Sequence, residues 1–423
     1  MQPRRIIEAF VVVLLAACSL ILYPPLRHHT YLGGYESLSL ARSLAGGNGF
    51  ANPFAFLATG PSAHLAPLFP ALMAFVFSHS SSDQAALNAM ELLATLIVVL
   101  QVCVLPFLAR YLGLGFYTGV GASVLWLVAR LPKEAFWEQN STGLLIAVLA
   151  FPMVAALRQR LSMVEVALCA VLWGVLLLLC PAVLPALGAW LVLVVFARKQ
   201  KLTQKLVLVL VPLLMLVPWT VRNYRAFHHF VFVRDNMGME MEVSNNPCAT
   251  FSFQLNVLSG CYSLHHPNEN FEEVFHVAKL GEVGYNQERM GVAKEWIKSH
   301  PREFATLTAE RFTAFWLPSV LRPEQRPIPP GIIYSPFRDV VITIASLAAV
   351  GGLVLLWRNN RSACLVFLVW LVTYPPIYYI TQYSERVRIP VQWAILLPAC
   401  YAVSEVWKRL AGGTQTPVNG AGS

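Results

Sequence analysis

Long apolar runs are the feature that most constrains this 423-residue sequence, because most of them approach the roughly 20 residues with which a helix crosses a bilayer. Only 13% of the residues are charged, about half the share found in an average soluble domain. The sequence therefore predicts an all-α polytopic membrane protein. We place about ten predicted spans at residues 6–26, 84–109, 113–131, 140–157, 162–179, 182–197, 204–221, 337–357, 362–381 and 389–408.

Lysine and arginine residues indicate the orientation of these spans, because basic loops tend to stay in the cytoplasm. If the N-terminus with Arg4 and Arg5 is cytoplasmic, the later basic clusters between spans all fall on that same side. These clusters are Arg110, residues 158–160, residues 197–201 and residues 358–361. Both termini are therefore predicted to be cytoplasmic. The net charge of +9 is explained by these basic clusters between spans, so it does not indicate a nucleic-acid partner.

The spans divide the chain into four predicted parts. Residues 1–221 form an N-terminal transmembrane module of seven spans that includes an extracytoplasmic loop at 27–83. Residues 222–336 form an extracytoplasmic segment with amphipathic helices, and residues 337–410 form a C-terminal module of three spans. The tail at 411–423 has the composition of a disordered segment. Polar loops beside a membrane usually pack onto the bundle, so the loop at 27–83 is expected to contain interfacial helices.

The cysteine and histidine residues leave several possibilities open. Cys18 ends the stretch "LAAC", as in a cleaved lipoprotein signal, but the apolar run continues to Tyr23 and favours a retained first span. Cys248 and Cys261 share one polar loop, and they can form a disulfide if that loop is extracytoplasmic. The histidine residues lack convincing ligand spacing, so a metal site built on them alone is not expected.

Polar residues that the topology places on the extracytoplasmic side are the candidates for chemistry, since functional groups of membrane enzymes lie near span ends. A carboxylate there can accept a proton from an attacking hydroxyl, and arginine residues can bind a phosphate leaving group. Group transfer from a phosphorylated lipid is the chemistry that this combination suits. The candidates are Glu36, Glu138, Arg222, Arg234, Glu240, Arg386 and Arg388.

Each candidate also has a structural interpretation. Glu36 is equally compatible with a solvated loop residue, and Glu138 with an ion pair to the nearby Lys133. Arg386 and Arg388 are compatible with contacts to lipid headgroups or to Glu385. Arg222, after a Pro-Trp pair, has the character of an interface anchor.

Several motifs resemble a known superfamily. "GYESLSLARSLAGGNGFANPF" at 34–54, followed by "TGPSAHLAPLFPALMA" at 59–74, resembles the first extracytoplasmic loop of bacterial integral-membrane glycosyltransferases of the GT-C superfamily. These are similar to the aminoarabinose–lipid A and protein O-mannosyl transferases. The stretches "PWTVRNYRAFHHFVFVRDNMGMEMEVSNN", "HHPNENFEEVFHVAKLGEVGY" and "RVRIP" continue the resemblance in the same order.

The resemblance implies a GT-C fold and an inverting transfer of a sugar from a polyprenyl-phosphate donor to an acceptor hydroxyl. The acceptor would be a lipid, glycan or protein at the periplasmic face of a bacterial inner membrane. Glu36 matches the loop carboxylate that acts as general base, although better-known members have an aspartate, often in an acidic pair, where this chain has glycine, glycine, tyrosine and glutamate. Glu138 matches a second acidic position, which would orient the acceptor or the base or help to hold a metal ion.

The same resemblance assigns the remaining residues. Arg386 and Arg388 match the basic residues that meet the donor phosphate, and Arg222 and Arg234 are further candidates for that role. Substrate contacts are predicted for Tyr35, His64 and Glu240. No cofactor is certain, and a divalent metal ion is possible. Two alternatives remain, a transporter or flippase of a lipid-linked substrate and a non-catalytic GT-C-like scaffold.

Overall fold

The computed structural model describes residues 3–25, 35–320 and 336–412, and within those ranges the chain is helical. Two isolated β-bridges, and no strand, occur in these ranges. The helices are α1 Pro3–Leu22, α2 Glu36–Ala45, α3 Leu68–Ser78, α4 Asp83–Tyr111, α5 Phe116–Val128, α6 Gln139–Arg158, α7 Met163–Leu179, α8 Leu184–Ala197, α9 Leu202–Phe227, α10 Met237–Ser244, α11 Phe253–Leu258, α12 Cys261–His265, α13 Phe271–Ser299, α14 Pro301–Trp316, α15 Pro336–Asn359, α16 Arg361–Thr373, α17 Ile377–Ile380 and α18 Gln392–Gly412.

Seven stretches of the described helices are long and apolar enough to cross a membrane, so the chain is a multi-pass membrane protein. They are Arg4–Leu22, Asp83–Tyr111, Gln139–Arg158, Leu202–Phe227, Pro336–Asn359, Arg361–Ile380 and Glu385–Leu410. The other three predicted spans coincide with the shorter apolar helices Phe116–Val128, Met163–Leu179 and Pro181–Ala197. Each predicted run thus contains a helix, and the run at 362–381 is interrupted at residues 374–376, between α16 and α17. The number of crossings stays a prediction.

Polar segments near the membrane also form the expected helices. The first loop contains α2 and α3, and the segment after α9 contains the long helix α13 and the amphipathic helix α14. Pro301 occupies the first position of α14, where its missing N–H costs no hydrogen bond. The predicted disordered tail lies outside the described residues except for residues 411 and 412, which belong to α18.

A stack of three buried tryptophan rings joins the middle of the bundle. The ring of Trp173 in α7 lies 5.8 Å from that of Trp190 in α8 and 5.4 Å from that of Trp370 in α16. Trp190 also donates its indole N–H to the carbonyl of Met153 in α6. Large aromatic rings supply extensive van der Waals contact, which is the main attraction between helices in a lipid environment.

Basic residues tie together helix ends on the side that the sequence assigns to the cytoplasm. Arg110 pairs with Glu8 at 2.5 Å, which connects the end of α4 to α1. Arg158, at the end of α6, donates to the carbonyl of Tyr111 and to the side chain of Asn360. Cations beside the last carbonyls of a helix satisfy unpaired acceptors, so these residues stabilise the bundle.

Helices α15 and α18 pack closely because Gly352 has no side chain at their contact. A Cβ atom at Gly352 would collide with the backbone carbonyl of Pro398, whereas one at the neighbouring Gly351 would meet nothing within 4 Å. Gly352→Ala should therefore lower the thermal stability of the purified protein, by the roughly 1–3 kcal/mol typical of overpacking.

Gly351→Ala is the matched control, since it adds the same methyl group on the open side of α15 and removes a helix-weakening glycine. It should leave the melting temperature unchanged or slightly raised. Thermal unfolding in detergent measures both variants, and equal melting temperatures for the two would contradict this account of the packing.

Candidate functional site

A polar cleft gathers residues from four separate parts of the chain. Glu138 lines it from the start of α6, and Arg234 and Glu240 line it from the segment around α10. Arg386 lines it from the 3-10 segment Glu385–Val391 that precedes α18. The structure thus brings together four of the residues that the sequence singles out. The predicted topology places these residues only on the same face of the membrane, without indicating that they share one cleft.

Backbone hydrogen bonds hold the α11 and Arg386 segments side by side. The N–H of Phe253 donates to the carbonyl of Tyr383, and the N–H of Tyr383 donates to the carbonyl of Phe251. Phe253 and Gln382 then both line the cleft. Because main-chain bonds fix this junction, the 3-10 segment carries Arg386 in a defined position.

Arg386 presents its guanidinium group to the cleft without a hydrogen-bond partner in the described parts of the chain. The group lies 4.0 Å from the ring centre of Trp137, and its buried Nε atom has no acceptor there. The alternative pairing with Glu385 is not formed, because Glu385 pairs with Arg338 at 2.6 Å. A cation that rests on an aromatic face keeps its N–H edges available to an anion.

Glu138 is a buried carboxylate that makes no hydrogen bond or ion pair through its side chain within the described ranges. The alternative partner Lys133 pairs with Glu91 at 2.7 Å. The ion-pair interpretation of Glu138 is therefore wrong, and the residue faces the cleft.

Glu36 is the first residue of α2 and is only 4% exposed, so it is not a solvated loop residue. Its Oε1 atom accepts a hydrogen bond from Nδ2 of Asn268 at 2.7 Å and lies 3.4 Å from Nε2 of His266. Burial raises the pKa of Glu36 to about 7, against the opposing influence of Arg386 and Arg234. An acid that titrates near neutral pH is suited to accept and release a proton.

Glu36 does not line the cleft itself, but its neighbours connect it to the cleft wall. The ring of Tyr35 packs 5.6 Å from that of Phe136 and 6.2 Å from that of Trp137. Ser37 donates a hydrogen bond to the carbonyl of Phe136. The start of α2 is thus fixed against the loop that supplies Trp137 and Glu138.

Arg234 and His64 are in contact through the His64 backbone. Nε of Arg234 donates to the carbonyl of His64 at 2.8 Å, and Nη2 lies 3.8 Å from the carboxylate of Glu240. Burial, with the positive charge of Arg234, lowers the pKa of His64 well below its ordinary value, so this ring is neutral at pH 7. It is the carbonyl of His64, and not its neutral ring, that accepts the hydrogen bond and positions Arg234.

The structure places Arg222 and Arg388 outside the cleft lining. Arg222 donates to the carbonyls of Ser62 and Phe50, at 2.6 and 2.5 Å, and so anchors the first loop to α9. Arg388 is 2% exposed and donates to Gln392 and to the carbonyl of Phe315. Both guanidinium groups stabilise the protein around the cleft.

His266 and Asn268 contact Glu36, and neither is among the residues predicted for the site. Both lie in the stretch "HHPNENFEEVFHVAKLGEVGY", which carries part of the superfamily resemblance. The spacing of the histidine residues does not indicate this contact, because the partner of each side chain is a carboxylate some 230 residues away, 232 for Asn268. Only the resemblance could have directed attention to them.

Comparison with solved structures identifies the architecture. Archaeal oligosaccharyltransferase AglB from Archaeoglobus fulgidus, in complex with an inhibitory peptide and a dolichol-phosphate, matches with a TM-score of 0.55 and 14% identity over 98% of this chain and 53% of that one. The Archaeoglobus fulgidus oligosaccharyltransferase in complex with Zn and sulfate matches with a TM-score of 0.54 and 16% identity over 95% of this chain and 50% of that one. The chain has the GT-C fold.

This GT-C chain spans about half the length of the oligosaccharyltransferases it matches. ArnT from Cupriavidus metallidurans bound to undecaprenyl phosphate is a weaker match, with a TM-score of 0.40 and 16% identity over 96% of this chain and 81% of that one. That likeness is too low to support a statement about this chain. No family model and no curated protein matches the sequence.

One group of three potential metal ligands occurs among the described residues of this GT-C chain, namely Cys248, Cys261 and His265. The two sulfur atoms are joined in a disulfide, as the shared polar loop allowed. Zinc binds cysteine as a thiolate, which a disulfide does not offer. His265 instead contacts Glu242 at 2.7 Å, so these three residues do not fit a metal ion in the oxidised protein.

The first loop of the GT-C chain is pinned to α13 by Glu282. Its Oε1 atom accepts a hydrogen bond from the N–H of Ala63 at 2.6 Å, and burial raises the pKa of Glu282 to about 8 from an ordinary 4.5. The folded protein therefore holds this proton at pH values where the unfolded chain releases it. Stability contributed by this group is present below about pH 4.5 and is lost as the pH rises towards 8.

Glu282→Gln should remove this loss, because the amide oxygen still accepts from Ala63 and carries no charge. We expect the melting temperature of the variant to fall less than that of the wild type between pH 5 and 8, measured in detergent. Glu295→Gln, at an exposed position of the same helix, should keep the wild-type slope. Parallel slopes for wild type and Glu282→Gln would show that Glu282 does not titrate in this range.

Proposed function

We propose that the chain is a glycosyltransferase that moves a sugar from a polyprenyl-phosphate donor to an acceptor hydroxyl at the periplasmic face of a bacterial inner membrane. The observation that carries this proposal is the cleft, which the guanidinium of Arg386, without a hydrogen-bond partner among the described residues, shares with the buried carboxylate of Glu138. Glu36 lies outside the cleft lining, and Tyr35 and Ser37 on either side of it contact the loop that supplies Glu138. A GT-C relative with dolichol-phosphate supports a lipid-phosphate donor. That oligosaccharyltransferase is in complex with an inhibitory peptide, but this chain spans only 53% of its length, so its acceptor is not carried over to this chain.

The proposed reaction is a displacement at the anomeric carbon of the donor sugar. The acceptor oxygen forms a bond to that carbon while the bond from the carbon to the phosphate oxygen breaks, with inversion. Glu36 takes the proton of the acceptor hydroxyl, and polyprenyl phosphate leaves with the electron pair. Arg386 neutralises the charge that develops on the phosphate, and this stabilisation is largest in the transition state.

Other residues take supporting roles in the proposal. Glu138 orients the acceptor from its place in the cleft lining, and Arg234 adds positive charge beside Glu240. Arg388 and Arg222 support the site through their protein partners, which leaves Arg386 as the main phosphate ligand. Tyr35 and His64 shape the first-loop side of the site. No step is assigned to a metal ion.

An apolar groove beside the cleft is suited to the polyprenyl chain. It encloses about 460 Å³ between α14, α15, α16 and α17, and is lined by residues such as Phe312, Trp316, Val350 and Leu371. Tyr378 lines the cleft, and the next residue, Tyr379, lines the groove. The cleft and the groove therefore lie on either side of the short helix α17. A lipid with its phosphate at Arg386 would enter this groove with its chain.

The proposed division of the chain follows from this arrangement. The modules 1–221 and 337–410 would form the membrane body, and the segment 222–336 would cover the cleft from the periplasm. Both termini would be cytoplasmic, on the side where Arg110 and Arg158 bind helix ends. The donor would then reach the cleft laterally from the outer leaflet.

Glu36→Gln should reduce transfer by roughly 10²- to 10⁴-fold, the contribution of a general base. The measurement is release of polyprenyl phosphate in membranes that contain the cell's own lipid-linked sugars, followed by mass spectrometry. Glu295→Gln, on the exposed side of α13, serves as the control and should retain full activity. Normal release by folded Glu36→Gln would sink the assignment of the base, and transbilayer movement of lipid-linked sugar without any release would favour a flippase.

Donor docking can be tested without knowing the sugar, by measuring the binding of undecaprenyl phosphate and farnesyl phosphate to purified protein by native mass spectrometry. Arg386→Met should weaken both ligands roughly ten- to hundredfold, because each loses a charge-assisted hydrogen bond to the guanidinium. Val350→Trp, which fills the groove from a lipid-exposed position, should weaken the long lipid much more than the short one.

Val354→Trp places the same ring one turn along α15, outside the groove, and is the matched control. It should bind both lipids normally. Unchanged affinity in Arg386→Met would contradict the phosphate site. Equal loss of both lipids in Val350→Trp would contradict the groove as the site of the chain.

A further inference from the structure

Two buried side chains contact one oxygen atom of Glu36. Nδ2 of Asn268 donates to Oε1 at 2.7 Å, and Nε2 of His266 lies 3.4 Å from the same atom. All three side chains are buried, with exposed fractions of 3 to 5%. The contacts at Oε1 leave Oε2 of the carboxylate unused by this pair.

The hydrogen bonds of His266 decide which of its nitrogen atoms carries the proton. The backbone N–H of Asn268 donates to Nδ1 of His266 at 3.1 Å, so Nδ1 is an acceptor. Burial lowers the pKa of His266 to about 3, and the ring is therefore neutral at physiological pH. A neutral imidazole with an unprotonated Nδ1 has its single proton on Nε2, which faces Glu36 as a donor.

The segment that carries this pair is held in place from both sides. The ring of His266 stacks on that of Tyr262, with centroids 4.4 Å apart, and Tyr262 follows the disulfide-bonded Cys261. On the other side, Asn270 accepts the N–H groups of Glu272 and Glu273 and so caps α13. The donors therefore sit on a preorganised turn.

We propose that His266 and Asn268 are positioning residues for Glu36, which hold its Oε1 atom through the Asn268 hydrogen bond and the Nε2 contact of His266 and leave Oε2 to accept the proton of the incoming hydroxyl. The inference rests on the proposed function in that it takes Glu36 as the base. It also means that His266 presents an N–H group to Glu36, and not a lone pair for a metal ion.

The pair has a measurable electrostatic consequence. Donors to a carboxylate stabilise its ionised form and lower its pKa, so removal of either donor should make Glu36 harder to ionise. Other groups that act on Glu36 come from three further elements and stay in place in such variants. They are Arg386, Glu240, Arg234 and the neighbouring Tyr35 and Tyr262.

The test uses the reaction of a hydrophobic carbodiimide with protonated buried carboxyl groups, followed by peptide mass spectrometry of the full-length protein in detergent. The extent of Glu36 labelling is measured against pH and requires no substrate. Asn268→Leu removes one donor with little change in volume, and His266→Phe removes the other while keeping the stack on Tyr262. We expect the labelling midpoint to rise by about one pH unit for Asn268→Leu and in the same direction for His266→Phe.

His266→Gln, which retains an N–H donor at a similar distance, should restore a midpoint near that of the wild type. Asn270→Leu is the matched control, because it loosens the same turn without removing a donor to Glu36. Unchanged midpoints in both Asn268→Leu and His266→Phe would overturn the proposal, and so would an equal shift in Asn270→Leu. A failure of the proposed function would be seen in the transfer assay and not in the labelling. Glu36→Gln would then retain full transfer activity, whatever the labelling midpoints of the other variants are.

Discussion

The burial of Glu36 is the constraint on which the rest of the site depends. A carboxylate removed from water is costly unless hydrogen-bond donors or cations compensate it. Here Asn268 donates directly to the carboxylate, while Arg386 and Arg234 act at longer range. The backbone N–H of Glu36, Arg386 and Arg234 lower the pKa of Glu36 against the effect of burial, and the outcome near 7 keeps both protonation states accessible. Complete burial without these partners would leave a neutral acid that could not act as a base.

Keeping Glu36 in place requires that the first loop be fixed along its length. Arg222 binds the carbonyls of Phe50 and Ser62, Glu282 binds the N–H of Ala63, and Arg234 binds the carbonyl of His64. Each of these charged side chains satisfies a main-chain group in a loop that has little regular structure. The loop is therefore held by side chains from α9, α13 and the segment before α10, so a change in any of them can disturb the position of Glu36.

The fold was predictable from the sequence because long apolar runs leave few structures open to a chain in a bilayer. Each of the ten predicted runs contains a helix, and four of the seven candidates assigned to one face line one cleft, while Glu36, Arg222 and Arg388 lie outside its lining. The partners of individual side chains were not predictable. Lys133 lies five residues from Glu138 yet pairs with Glu91, and Asn268 reaches Glu36 across most of the chain. Such pairings depend on tertiary packing that neither periodicity nor spacing records.

The division of roles between Arg386 and Arg388 has a simple geometric cause. Both belong to a 3-10 segment, in which residues three apart share a face and residues two apart therefore point in different directions. Arg386 consequently lies over Trp137 at the cleft, while Arg388 is directed into the bundle towards Phe315 and Gln392. In the sequence "RVRIP" the two residues look equivalent, and an extended conformation would place both on the same face. The buried arginine anchors the segment, and that anchoring fixes the position of the neighbouring guanidinium at the cleft, where we propose that it binds a phosphate.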